Sequence, residues 1–374
     1  MASPKPRVVV AGHLCLDITP TLAPLEGGSL ASLVTPGKLV HVGAADVHTG
    51  GCVANTGLAL HKLGVPVRLI GKTGCDAFAG LIRTQLEAAG AQASLQADSA
   101  CSTSYTVVLA PPGIDRVFLH NPGANESFSE ADVPDDLLAG AALMHFGYPP
   151  LMLRLCRDGG AELLRLFERA RALGLATSLD MVAVDPASEA AAVDWGALLP
   201  RLMPLTDFFL PSAEELCFLL DRFLHAQWLA RAQARDVIEV LDIRRDIVPL
   251  ADRLMAMGCK VVCIKCGARG LYYRTAGKEV LAALPLPLDT AVWADREGFQ
   301  PAFRPSRVVS ATGAGDTSIA AFLATVLEGG GPERCAERAA ATGACCVEAC
   351  DALSGLLPLA ELDQRIAAGW ATNA

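Results

Sequence analysis

The chain has 374 residues, of which 52% are hydrophobic, 19% charged and 5% aromatic, a composition that buries a large core and marks a globular protein. Its formal net charge of -9 and pI near 5.3, with no cluster of Lys and Arg, exclude a nucleic-acid-coating surface. Any anionic ligand must be held locally. No uninterrupted apolar segment reaches membrane-spanning length, and the N-terminal apolar run is too short for the core of a secretion signal. The expectation is a cytoplasmic protein with neither membrane nor nucleic acid as partner.

In chain order, short β-branched runs alternate with longer Ala- and Leu-rich stretches. PRVVVAG, VPVRLIG, SYTVVLA, RVFLHN, GLATSLD, TDFFLP, KVVCIK and GLYYRT read as strands. GGCVANTGLALHKLG, FAGLIRTQLEAAG, AELLRLFERARALG, residues 213 to 257, TSIAAFLATVLEGG and residues 333 to 350 read as helices. Such alternation predicts an α/β fold, a mostly parallel central sheet flanked by helices. Residues 1–374 are expected to form one domain. Two stretches, about 16–49 and 101–125, break the alternation and are expected to form a small antiparallel sheet outside the main one, the second with the turn PPGIDR between its strands. Residues 283–307 read as a long surface loop, in which Trp293 and Phe303 line a substrate entrance or serve as anchors. The 13 cysteines are scattered through apolar segments and read as reduced, buried side chains. Cys259, Cys263 and Cys266 lack a second ligand pair at zinc spacing and lie in a strand entering a glycine turn.

The chemistry concentrates in VSATGAGDTS at 309–318. A glycine-rich turn running into a helix exposes backbone N–H groups that lack helical acceptors, and the helix dipole adds positive potential there. Gly313 and Gly315 let the backbone approach an anion closely. Asp316 is the unexpected residue, because a carboxylate repels a bound phosphate unless it does something other than bind. Two alternatives stand: a base that takes a proton from an attacking hydroxyl, or an ordinary helix cap. A P-loop is excluded at GKT (71–73), since Pro66 occupies the required first glycine position. No GxGxxG joins an early strand to a helix, which excludes a dinucleotide fold.

In order along most of the chain, GHLCLD with Gly12 and Asp17, Gly50, Gly51 and Asn55 in GGCVAN, and Gly71, Gly74, Asp76 and Gly80 lead to Arg116 and Gly123 to Asn125. Glu215 in LPSAEEL, KCGARG and TGAGD follow. This series resembles the ribokinase-like (PfkB) family of carbohydrate kinases. The resemblance implies a ribokinase-like fold with a small β-sheet lid, and transfer of the γ-phosphoryl group of ATP to a hydroxymethyl group of a sugar or related polyol. It implies Asp316 as the base and the 311–315 turn, including Gly313, Ala314 and Gly315, as the anion hole. Asp17, Gly50, Gly51, Asn55 and Asn125 would meet the acceptor. Lys265, Gly267 and Gly270 would border the nucleotide, and Glu215 would act on Mg2+ through water. Lid sheets in this family often pair, so a homodimer through the lid is implied too. A nucleoside kinase of the same fold and a non-catalytic sugar- or nucleotide-binding regulator are the alternatives.

The departures are specific. Ser310 and Ala311 stand where the family has Asp and Thr, the first of which helps build a monovalent-cation site, so potassium activation does not carry over. Ser212 replaces the Asn of NxxE, and AATGACCVEAC lacks the Asn that often lies near adenine.

Overall fold

The fold is a computed structural model that describes residues 8–25, 36–112, 116–233 and 235–373. Apolar and β-branched runs form strands wherever both faces can be covered. In chain order they are β1 (Val8–Gly12), β2 (Cys15–Pro20), β3 (Ala45–Gly50), β4 (Val67–Thr73), β5 (Gln92–Ala97), β6 (Tyr105–Leu109) and β7 (Val117–Asn121). They continue with β8 (Leu143–Gly147), β9 (Ala176–Asp180), β10 (Phe208–Phe209), β11 (Val261–Lys265), β12 (Gly270–Thr275) and β13 (Glu297–Pro301).

Nine of these strands make one sheet in the order β13-β12-β11-β10-β9-β8-β1-β4-β5. Its pairs are parallel from β5 to β11, and β12 and β13 complete one edge antiparallel. β1 runs in its interior, third from the β5 edge, with Val10 opposite Leu69 on one side and His145 on the other. Every residue of β1, β4, β8 and β9 is buried. Helices cover both faces. Phe167, Trp195 and Trp228 belong to the core on one face, Val53, Phe322 and Trp293 to the core on the other. Each such side chain contributes about 1.5–3 kcal/mol on burial.

The two irregular segments pair as a four-stranded sheet, β3-β2-β6-β7. It is mixed, since β2 and β6 run parallel while β2–β3 and β6–β7 are antiparallel. Gly113 to Asp115, the middle of PPGIDR, and residues 26–35 of the first segment lie outside the described residues. The expected surface loop at 283–307 is a correction: it holds a short helix (Thr290–Trp293) and β13, and it packs. Trp293 stacks edge-on against Phe322 and donates its indole N–H to the Gly330 carbonyl at 3.1 Å, while Phe303 packs on Trp370. Both rings are buried, so they act as the anchors of this segment. Cys259, Cys263 and Cys266 are free and buried in and beside β11, as the strand reading required. No helix among the described residues is long and apolar enough to cross a membrane.

Adjacent parallel strands end together, which places Gly12, Gly147, Asp180 and Lys265 along one rim of the sheet. In open α/β sheets this carboxyl rim is where ligands bind.

Candidate active site

The helix Ala314–Leu327 begins immediately after Gly313, whose φ of 76° puts it in the left-handed region. Glycine adopts this backbone without strain, so the turn can fold tightly over the helix start. The first-turn N–H groups of such a helix have no intrahelical acceptors, which leaves the turn Ala311–Gly315 able to hold an anion. Asp316 does not cap that helix. It is buried, and its carboxylate accepts from the Asn55 amide at 3.0 Å, the Thr56 hydroxyl at 3.2 Å and the Tyr148 phenol at 2.7 and 2.8 Å. The donors reach it from the helix Gly51–Lys62 and from the residue after β8, so two separate elements converge on one carboxylate.

Asp316 faces an open cleft of about 1210 Å³ that is also lined by His13, Asp17, Gly51, Asn55, Tyr148 and Thr312. Asp17 stands on β2 directly against Gly50, and a side chain at Gly50 would collide with its carboxylate. Gly51, with φ of 82°, leaves the space that the His13 imidazole occupies; a Cβ there would lie 2.5 Å from His13 Nδ1. Burial raises the Asp17 carboxyl, a shift that Asp316 adds to and the Cys15 thiol contact offsets. Burial also pushes His13 down to about 3, with His120 adding to it, so the ring is neutral at physiological pH. Neither ring nitrogen of His13 has a partner in the structure, nor does Nε2 of His120. Arg116 donates to the Thr312 hydroxyl at 2.9 Å, linking the small sheet to the anion turn.

A second group of charges lies behind the turn. Lys265 donates to Asp180 at 2.7 Å, and a Cβ on Gly315 would lie 3.5 Å from its ammonium. Burial alone would lower Lys265, but Asp180, Glu215 and Asp316 together raise it, so it is a fixed cation. Burial raises the Asp180 carboxyl against the pull of the Lys265 ammonium. Glu215 closes a reciprocal cap with Ser212, accepting from the Ser212 N–H at 2.8 Å while the Ser212 hydroxyl accepts from the Glu215 N–H at 3.3 Å. No cluster of three or more metal-ligating side chains occurs among the described residues. Buried carboxylate oxygens on Asp180 and Glu215 do suit a hard cation that keeps most of its water and takes phosphate ligands, which is how Mg2+ is ordinarily held.

The structure thus brings Asp17, Gly50, Gly51, Asn55, Gly313, Ala314, Gly315 and Asp316 together, with Lys265 and Glu215 behind. Asn125 is a correction. Its amide is buried and bonds both ways to the Leu14 backbone, at 2.9 and 3.3 Å, because it ties the segment after β7 to the segment after β1. Gly267 and Gly270 shape the turn from β11 to β12, where a side chain at Gly270 would collide with the Gln300 carbonyl of β13. Sequence reasoning missed Thr56 and Asp180. The polar Thr56 within an apolar helix, and Asp180 at the end of an apolar strand, were the available signals.

Residues 5–357 match the family model described as pfkB family carbohydrate kinase. The chain belongs to that family. A fructokinase-2 of Oryza sativa subsp. japonica is 25% identical over 332 residues, covering 87% of this chain and 81% of that protein. An Arabidopsis thaliana ribokinase solved with ribose and ATP superposes with a TM-score of 0.69 at 20% identity, over 96% of this chain and 98% of the other. An E. coli protein assigned as ribokinase II, in complex with ATP and Mg2+, gives 0.69 at 19%, over 97% and 99%. The pfkB chain described here is accordingly a sugar kinase, a phosphotransferase with an alcohol acceptor, on a ribokinase-like fold.

Proposed function

We propose that this pfkB kinase transfers the γ-phosphoryl group of ATP to a hydroxymethyl group of an uncharged sugar or polyol, with Asp316 as the general base. The observation that carries the reading is the placement of Asp316: a buried carboxylate oriented by three side-chain donors, at the mouth of an anion-holding turn and facing the same cleft as Asp17. Phosphoryl transfer asks the protein for alignment, charge neutralisation and a proton acceptor. Asp17 aligns the acceptor by accepting from its hydroxyls, with His120 beside it. The backbone of Ala311–Gly315 receives the charge that develops on the phosphoryl oxygens, and Lys265 supports it from behind. Mg2+, held through water near Glu215 and Asp180, would neutralise phosphate charge when bound with the nucleotide. Gly267 and Gly270 border the nucleotide in this reading.

The acceptor is uncharged because acids dominate its side of the cleft. Asp17, Glu126, Asp185 and Glu189 line it, and Arg116, the cation among the described lining residues, is engaged with Thr312 on the phosphate side. A carboxylate or phosphate on the acceptor would meet repulsion there. Pro150, Leu151, Val182 and Val184 form an apolar arm that could accommodate a base, which makes a nucleoside the second acceptor class. The small sheet acts as the lid.

The test measures ADP release with ATP, Mg2+ and each of D-fructose, D-ribose, a sugar acid and a nucleoside. Saturable transfer to an uncharged acceptor is expected, and Asp316→Asn should lower it by about 10² or more while ATP still binds. Near wild-type turnover in that variant would overturn the assignment of the base.

A further inference from the structure

Tyr148 is a non-glycine residue in the left-handed region, with φ of 66° and ψ of 44°. Such a backbone is rare for a bulky side chain and persists where surrounding structure imposes it. Here the imposition is visible: β8 ends at Gly147, the Tyr148 N–H bonds to the Asp180 carbonyl at 3.3 Å, and Pro149 and Pro150 follow at once. The result is a phenol turned into the cleft with its oxygen 2.7 and 2.8 Å from the two oxygens of Asp316.

An ionised carboxylate offers about four acceptor positions. Asn55 and Thr56 take one on each oxygen, and the single proton of Tyr148 is shared across the edge between them. That edge is where an attacking hydroxyl would have to deliver its proton. With Asp316 as the base, we propose that Tyr148 is a resident stand-in for the acceptor hydroxyl, which covers the base until an acceptor displaces it and so keeps water from being used instead. This rests on the reading of Asp316 given above.

The displaced phenol has a destination. The His13 ring lies with its centroid 5.9 Å from that of Tyr148, is buried, and has neither nitrogen bonded. A neutral imidazole has one nitrogen able to accept the phenol proton. Burial, with Asp316 next, holds the Tyr148 hydroxyl well above its ordinary range, so it remains a donor in either position. In productive transfer the acceptor O–H gives its proton to Asp316, its oxygen bonds to the γ-phosphorus, and the bond from that phosphorus to the bridging oxygen breaks with its electron pair leaving on ADP. Water entering instead would follow the same path and yield ADP and inorganic phosphate.

The experiment is phosphate release from ATP and Mg2+ with no acceptor, for wild type, Tyr148→Phe and Tyr148→Phe/Asp316→Asn. Tyr148→Phe should raise it at least tenfold, and adding Asp316→Asn should abolish the rise. Tyr148→Asn, whose short side chain tolerates the left-handed backbone and falls short of Asp316, should give the same rise if the phenylalanine variant folds poorly. Hydrolysis that is unchanged or lower in the variants overturns the proposal. Failure of the base assignment looks different: Asp316→Asn alone would then keep its transfer to D-fructose or D-ribose.

Discussion

The two sides of the cleft are built on opposite principles. Behind the anion turn every charge is answered: Lys265 by Asp180, Glu215 by Ser212, Asp316 by Asn55, Thr56 and Tyr148. On the side of the small sheet polar atoms stand open, with His13 unbonded at both nitrogens, His120 unbonded at Nε2, and Asp17 touched by the Cys15 thiol at 3.3 Å. Buried polar groups without partners cost free energy, and a ligand that bonds those facing the cleft recovers that cost. In the function proposed above, the phosphate side is preorganised by the protein, whereas the acceptor side would be completed by its substrate.

The largest effect that would sharpen this contrast is at Asp17. Asp17→Ala should raise KM for the acceptor by roughly 10- to 150-fold, from loss of a charge-assisted hydrogen bond of about 1.5–3 kcal/mol, and leave KM for ATP close to its original value. Saturation curves for both substrates check it, and equal weakening of the two would erase the distinction between the sides. Next comes His13. Its folded value near 3 lies below the ordinary 6.5, so between these limits the unfolded chain takes up a proton that the folded chain refuses. Stability then rises with pH across that window and is lost as pH falls, by about 1.4 kcal/mol per unit for one group. Urea unfolding at pH 7 and pH 5 should accordingly differ by about 2 kcal/mol less in His13→Gln than in wild type. Identical differences would show that His13 is already partnered. The smallest effect concerns potassium. Ser310 carries no carboxylate, and its hydroxyl accepts from the Thr312 N–H at 3.2 Å within the turn. Replacing K+ by a bulky organic cation at constant ionic strength should change transfer little, and a saturable K+ requirement would show the phosphate side to be less self-sufficient than its ion pairs suggest.

Much of this was legible in the residues because it is written locally. The strands at VVVAG, VRLIG and VVCIK are short, mostly apolar runs, and the glycines of TGAGD announce a turn before a helix. What escaped depends on tertiary partners. β8, LMHFG, carries a histidine and a glycine that weaken its strand pattern, yet His145 is accommodated by Ser178 of the neighbouring strand at 2.9 Å. β13, EGFQP, has a glycine and a proline and is recruited by pairing along β12. Asn125 resembled a binding residue in its motif, but the bonds that use its amide come from Leu14, 111 positions away. The left-handed residue at Tyr148 is not itself a glycine, and its meaning appears only when Asp316 is placed beside it.

β10 is just two residues long, Phe208 and Phe209, yet it lies in the middle of the nine-stranded sheet between β9 and β11. So short a ladder is a narrow seam, which backbone bonds at Asp207, Leu210 and Pro211 lengthen. The side chain of Lys265, at the end of β11, reaches over that seam to Asp180 at the end of β9. The pair is a rivet as much as an electrostatic device: it joins the half of the sheet that carries the acceptor cleft to the half that carries the antiparallel edge. Loss of that one joint would remove both a side-chain tie between the two halves and the cation that Gly315, at the start of the helix bearing Asp316, lies against.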